Sequence, residues 1–458
     1  MHARAAAQLL VAFAVVFGAG FIVSLPPFGW GDEVPHDLRA LRTSEGSLLP
    51  HMKGGVRGAL VDPRLRRTLV ATAFTTEAWR ACALRASDLA SLPNRRLSNR
   101  PRVFAPESGA PYVPIGSLHL AAAMKAARLV RPTPLAMLYA ARLANLVFWT
   151  ALVAAALWLI PAMRLSLLAI AVAPTALFVA STCSLDGPMD ALAFLWFAIV
   201  LRLARRPEEP LRRGTTLALV ALGAVLALVK LVYFPLVLLL LLVPAARSDS
   251  SWRPWIMLCV ASLALGVAAI GVWLCMLPGP ASALLFDPIG TGEGASRQML
   301  ADPVGALGAV VRTIRREALP WIINLAWPLW TTCTIAYPAT VAMVWGAWAL
   351  ALLLDAEAHR PTGAQRLVAF GVFVCILVMS VLVAFAAWTP QGESRAVGVQ
   401  GRYLIPALPA LALAVLPPSV PLRPSVRRAL LSAIVVALAT SLVLVQVAFV
   451  RQYDWSAR

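Results

Sequence analysis

The stretch DALAFLWFAIVLRLARRPEEPLRRGTTLALVALGAVLALVK, Asp190 to Lys230, decides the fold. Two runs of nearly pure hydrocarbon flank a short link that holds five arginines, Arg202, Arg205, Arg206, Arg212 and Arg213. Each run approaches the roughly 20 residues that carry a helix across a bilayer. A chain in lipid must satisfy its own backbone hydrogen bonds, and a helix does so within one segment. Arginines crowded into a short link stay on the cytoplasmic side. The stretch therefore reads as a helical hairpin with its turn in the cytosol and its charged ends, near Asp190 and Lys230, at the outer face.

The same pattern extends along the chain. Of 458 residues, 60% are hydrophobic and 13% charged, and mean hydropathy is +0.78; a soluble domain is nearer a quarter charged. The fold class is an all-α polytopic membrane protein. About eleven spans fit the roughly 20-residue rule if Pro-broken segments are allowed: 8–25, 135–160, 165–182, 187–203, 214–229, 231–245, 254–277, 336–354, 367–388, 403–417 and 428–449. Three further arginine-bearing connectors, at Arg247 and Arg253, at Arg360 and Arg366, and at Arg423, Arg427 and Arg428, join the first on the inside. The N-terminus is then inside and the C-terminus outside. The net charge of +19 belongs to these connectors and to contact with anionic lipids. No basic, aromatic-studded domain stands apart from the apolar runs, which argues against nucleic acid as a partner.

The first run, Leu9 to Val23, reads as an uncleaved first helix, since no small-residue cleavage site follows it. Tyr112 to Val130 is apolar enough to tempt a span, but crossing there would turn the five-arginine link outward. It reads instead as an amphipathic helix on the outer surface, with Lys125 and Arg128 toward the headgroups. Two large outer regions result, 26–134 and 278–337, joined on that face by the short loop 389–402. The first is too long to be an idle link. The six cysteines form no CxxC pair and read as small buried apolar residues. GTGEGA, 290–295, lacks the Walker lysine and reads as a loop.

Polar groups then gather on the outer face. Asp32, Glu33 and His36 sit just past the first run. Asp186 occupies a tight outer turn, with Asp190 one helical turn later. Lys230 is a lone cation between two apolar halves broken by Pro235, and Arg402 opens a late span. Ionisable groups at membrane depth cost about 2.5–3.5 kcal/mol each on insertion scales, which makes them functional candidates. Each also has a structural reading. Asp32 and Asp186 could cap helices, Lys230 could snorkel, Arg402 could anchor at the interface, and His36 could be an ordinary surface histidine. Outside the cytosol, activated groups arrive attached to lipids, typically polyprenyl phosphates. Their transfer needs a carboxylate to take the acceptor's proton, cations at the departing phosphate and an apolar groove. Asp32 is the first candidate base, with Glu33 in reserve or facing a metal, and Asp186 assists at the acceptor or a metal. Lys230, Arg402 and His36 would hold the donor phosphate, while Asp190, Tyr112, Gln400 and Tyr403 would contact sugar or acceptor. No cofactor is read from the residues; a divalent metal would suit the carboxylates, but the ligand set is too thin to assign one.

The order of features resembles the GT-C superfamily of membrane glycosyltransferases: a short cytoplasmic start, one span, a long outer loop opening on acidic residues, a surface helix, and an acidic turn between the third and fourth spans. More narrowly, GDEVPHDLRALRTSEGSLLP, YVPIGSLHLAAAM, YAARLANLVFW, STCSLDGPMDALAFL, LVKLVYFPLVLLLLLVP and GVQGRYLIPALPAL resemble a bacterial family of predicted membrane proteins, domain of unknown function 2142. The opening motif differs from that family's Asp-Glu-Pro-x-His, because Pro35 falls one place later. LPWIINLAWPLW lacks the Gly-Trp-Leu-Asp run associated with the family. The resemblance implies a GT-C-like catalytic core over 1–250, with its long first outer loop at 26–134, and C-terminal spans over 251–458 with the outer loop 278–337. It also implies a bacterial inner-membrane glycosyltransferase that moves a sugar from a polyprenyl-phosphate donor to an envelope glycan or lipid acceptor. A transporter or flippase for lipid-linked saccharides, and a non-catalytic envelope assembly protein, remain alternatives.

Overall fold

The structure is a computed structural model. It describes residues 1–29, 32–80, 85–98, 101–107, 112–205, 211–246, 251–279, 299, 301–328, 338–357, 359–390 and 392–451. Among these, seven helices are long and apolar enough to cross a membrane: Ala3–Ser24, Pro134–Leu159, Asp186–Ala204, Arg253–Met276, Pro338–Asp355, Gly363–Ala387 and Pro424–Arg451. Shorter apolar helices run over Arg213–Val229, Leu231–Leu242 and Gly401–Ala414. Each of the eleven expected spans therefore falls on helical structure, but not all are whole helices. The segment expected at 165–182 is two short helices, Arg164–Ala171 and Pro174–Ala180. Pro174 supplies no amide hydrogen to the preceding turn and restarts the helix at its first position.

Local chemistry sets many of the ends. Thr133 caps Pro134–Leu159 by accepting from the Ala136 amide at 3.3 Å. Thr362 and Gln365 form a reciprocal capping box, each side chain accepting from the other's amide at 3.1 Å. Asp302 caps Pro303–Ala326 through the Gly305 amide at 2.8 Å.

The bundle is polarised. Arg164 donates to the Met1 carbonyl at 3.1 Å, and Asp355 accepts from the Ser166 amide at 2.7 Å. Thr362 donates to the Ala245 carbonyl at 2.6 Å, and Arg366 reaches the carbonyls of Ala414 and Leu416 at 2.8 and 2.6 Å. Arg427 pairs with Glu357. These contacts bring three of the arginine-bearing connectors and the N-terminus to one end, and Arg205 of the fourth lies close enough to His359 to act on its charge. One buried apolar core joins the helices, with Leu10, Trp149, Trp196, Leu240, Ile405 and Phe449 among its members. Cys183 and Cys259 are buried as expected, but Cys275 and Cys375 are exposed on the outside of their helices. Cys82, Cys333 and the GTGEGA stretch lie outside the described residues.

The opposite end carries what the all-α reading missed. His51–Lys53, Val56–Val61 and Val103–Pro106 form a three-stranded antiparallel sheet in the order β1-β2-β3. The first hairpin pairs His51 with Gly58 and Lys53 with Val56. Gly54 and Gly55 lie between them at φ +57° and +80°, the left-handed backbone that a two-residue hairpin turn requires. The sheet covers a second apolar cluster that includes Phe28, Leu41, Val61, Leu120, Met137 and Cys183. Of the helix expected over Tyr112–Val130, Leu118–Val130 is α-helical, following a 3-10 turn at Pro114–Ser117. Lys125 is exposed, but Arg128 turns to pair with Glu45, which Arg102 also grips.

Candidate functional site

Charged side chains from four segments meet at the end away from the arginine-bearing connectors. Asp186 stands in the first turn of Asp186–Ala204. Its carboxylate accepts from Lys230 Nζ and lies 2.8 Å from Arg402 Nε. Arg402 Nη2 in turn pairs with Asp32. The ring of Tyr403 lies beside both cations, 5.4 Å from Lys230 Nζ and 5.2 Å from Arg402 Cζ, within cation–π range. The Tyr233 hydroxyl fixes that ring's backbone by donating to the Tyr403 carbonyl at 3.0 Å.

Breaks in helical geometry place both cations. Arg213–Val229 ends at Lys230, whose backbone is extended, and the chain continues as a 3-10 helix over Leu231–Leu242 with Pro235 inside it. Arg402 lies in a second 3-10 stretch, Gly401–Ala407, which contains Pro406. Runs this long are uncommon for 3-10 geometry, and such stretches often mark functional positions. Gly401 is a packing requirement: a Cβ there would overlap the Trp321 carbonyl oxygen.

Asp32 is the N-cap residue of Glu33–Ser44, but its side chain makes no capping bond and goes to Arg402 instead. Glu33 does not stand beside it in the pocket, contrary to the sequence reading. It is fully buried and accepts from Arg142 Nε at 2.8 Å, from Arg142 Nη2 at 2.7 Å and from the Cys183 amide at 3.0 Å. Arg142 also donates to the carbonyls of Ile22, Leu25 and Pro26 at 3.0, 2.9 and 2.7 Å. Glu33 is therefore a structural anchor for the turn after the first helix, with both carboxylate oxygens engaged. Asp37 beside it is also buried; desolvation and the neighbouring Glu33 charge push its carboxyl well above the usual range.

His36 is also corrected as a cation. Its Nδ1 lies 2.6 Å from Arg39 Nη2. A guanidinium only donates, so Nδ1 accepts and the ring proton sits on Nε2. Burial, and then the charge of Arg39, hold His36 well below its ordinary value, so it is neutral. It can offer a ligand one N–H but no charge. Tyr112 stacks over Arg39 with its ring centroid 5.3 Å from Cζ, and lies 6.2 Å from the His36 ring. Asp190 is 1% exposed and its Oδ2 has no hydrogen-bond partner among the described residues; Gln400 Oε1 is likewise unpaired.

Sequence reasoning overlooked Arg142, Arg39 and the buried pair Arg42–Glu107, 3.2 Å apart. Arg142 was detectable as a lone charge inside the apolar run 135–160. Glu107 gave no comparable signal, because its run is polar.

The sequence matches the family model described as predicted membrane protein (DUF2142) over residues 15–411. The chain belongs to this family. Asp32, Asp186, Lys230 and Arg402 all lie within the DUF2142 match. No curated protein and no solved structure matches the chain.

Among the described residues, no three His, Cys, Asp or Glu side chains stand close enough to hold a metal ion. The two pocket carboxylates are already matched by two cations, which would repel a third.

Proposed function

We propose that this membrane protein is a glycosyltransferase of the bacterial inner membrane, moving a sugar from a polyprenyl-phosphate donor to an envelope glycan or lipid acceptor on the outer face. The observation that carries the reading is the single ion-paired cluster formed by Asp32, Asp186, Lys230 and Arg402 at the end away from the arginine-bearing connectors. Short arginine-rich links favour the cytoplasmic side, which supports an outward-facing cluster in this reading. An apolar recess with a cavity volume of about 20 Å³, too small to enclose a lipid tail, offers one an apolar surface to lie against. It is lined by Ala169, Ala173, Leu325, Trp345, Ile405 and Leu408 among others, and the last two lie on the same Gly401–Ala414 element as Arg402.

In this reading the acceptor hydroxyl oxygen attacks the sugar's anomeric carbon. The bond from that carbon to the phosphate oxygen breaks, and its electron pair leaves with the polyprenyl phosphate. Asp32 takes the hydroxyl proton. Lys230 and Arg402 stabilise the charge gathering on the leaving phosphate. Asp186 holds both cations in place.

Deletion of the gene followed by mass analysis of envelope glycans tests the reading. A sugar missing from one glycan, restored by the wild-type gene but not by Asp32→Asn, is the expected result. Unchanged glycans, or full restoration by Asp32→Asn, would overturn it.

A further inference from the structure

The ion-paired cluster is charge-balanced, with Lys230 and Arg402 set against Asp186 and Asp32. An entering phosphate finds both cations already matched, so a carboxylate has to yield. Asp186 is poorly placed to do so. Its side chain is 6% exposed, it touches both cations, and it is fixed in the first turn of a long buried helix. Asp32 is placed to leave. Its side chain is 42% exposed, it makes no capping bond, and it meets Arg402 at one guanidinium nitrogen.

We infer that the Asp32 carboxylate occupies the phosphate seat on Arg402, and that a lipid phosphate monoester or diester binds by displacing it. This rests on the proposed transferase reading and deepens it. A phosphate offers more oxygens to the guanidinium fork than the single carboxylate oxygen now on Nη2. Arg402 is almost fully buried at its side chain while Asp32 is not, so the exchange swaps a solvent-facing anion without moving the buried cation. Displacement also sets Asp32 free beside the departing group, where it can take the acceptor's proton. The pair with Arg402 holds the base back, and donor binding releases it.

The test is binding of farnesyl phosphate to the purified full-length protein in detergent, followed by calorimetry. Asp32→Asn and Asp32→Ala should each bind it about fivefold more tightly than wild type, the equivalent of the ~1 kcal/mol of an exposed ion pair. Farnesol binding should be the same in all three. Equal or weaker binding of farnesyl phosphate by both variants would overturn the inference, because a carboxylate that merely orients Arg402 is missed when removed. Arg402→Gln and Lys230→Gln separate this failure from failure of the functional reading. If either loses binding while the Asp32 variants gain nothing, only the displacement is wrong. If both bind farnesyl phosphate as wild type does, the phosphate seat itself is wrong and the transferase reading falls with it. Inorganic phosphate binding the Asp32 variants as tightly as farnesyl phosphate would overturn the lipid source.

Discussion

Glu33→Gln should cripple folding, while Asp32→Asn, one residue earlier, should be nearly silent for stability. Glu33 is fully buried and accepts two bonds from Arg142 and one from the Cys183 amide. The amide keeps one acceptor oxygen but turns an NH2 toward a guanidinium that only donates. Arg142, also fully buried, loses the carboxylate it is bound to. Breaking a buried ion pair from one side costs about 3–5 kcal/mol, roughly a hundred- to several-thousand-fold in the unfolding equilibrium. Asp32 has a 42% exposed side chain, and an ion pair of that kind is worth about 1 kcal/mol or less. Unfolding of the detergent-solubilised protein by increasing SDS mole fraction, followed by tryptophan fluorescence, measures both. A Glu33→Gln protein as stable as Asp32→Asn would refute the assignment of Glu33 to the scaffold and return it to the pocket.

A neutral buried His36 makes stability depend on pH. The unfolded chain takes up a proton at about pH 6.5 that the folded protein resists, so this contribution is complete above that pH and falls away as pH drops below it. Asp37, raised by burial, works in the opposite sense and loses its contribution as pH rises. The informative measurement is therefore a comparison: from pH 7.5 to pH 5, His36→Gln should lose less stability than wild type, and parallel curves would remove the histidine from the account. Gly401→Ala should push the Gly401–Ala407 stretch off the Trp321 carbonyl, costing about 1–3 kcal/mol by overpacking. It should also weaken farnesyl phosphate binding through displacement of Arg402, and wild-type binding would show that this contact does not position the site.

The sequence by itself determined the solvent. Apolar runs near the length of a bilayer, separated by arginine-rich links, leave a helical bundle as the way to satisfy the backbone, and the polarity of those links was legible from Arg202 to Arg213 alone. It also pointed to Asp32, Asp186, Lys230 and Arg402, because a charge beside hydrocarbon is costly enough to stand out. Tertiary structure alone decided which charges pair. Asp32 and Glu33 are neighbours in the chain, yet one faces a cation 370 residues away and the other is locked to Arg142. Helical geometry turns adjacent side chains in different directions, so chain proximity did not reveal which carboxylate would be left at the surface. His36 likewise looked like a cation until Arg39 folded against its Nδ1. The small sheet over His51–Pro106 lay in a polar loop where only Gly54–Gly55 marked a turn, and its third strand comes from more than 40 residues downstream. Pairing at that separation depends on what the rest of the chain packs beneath it, and no local pattern encodes that.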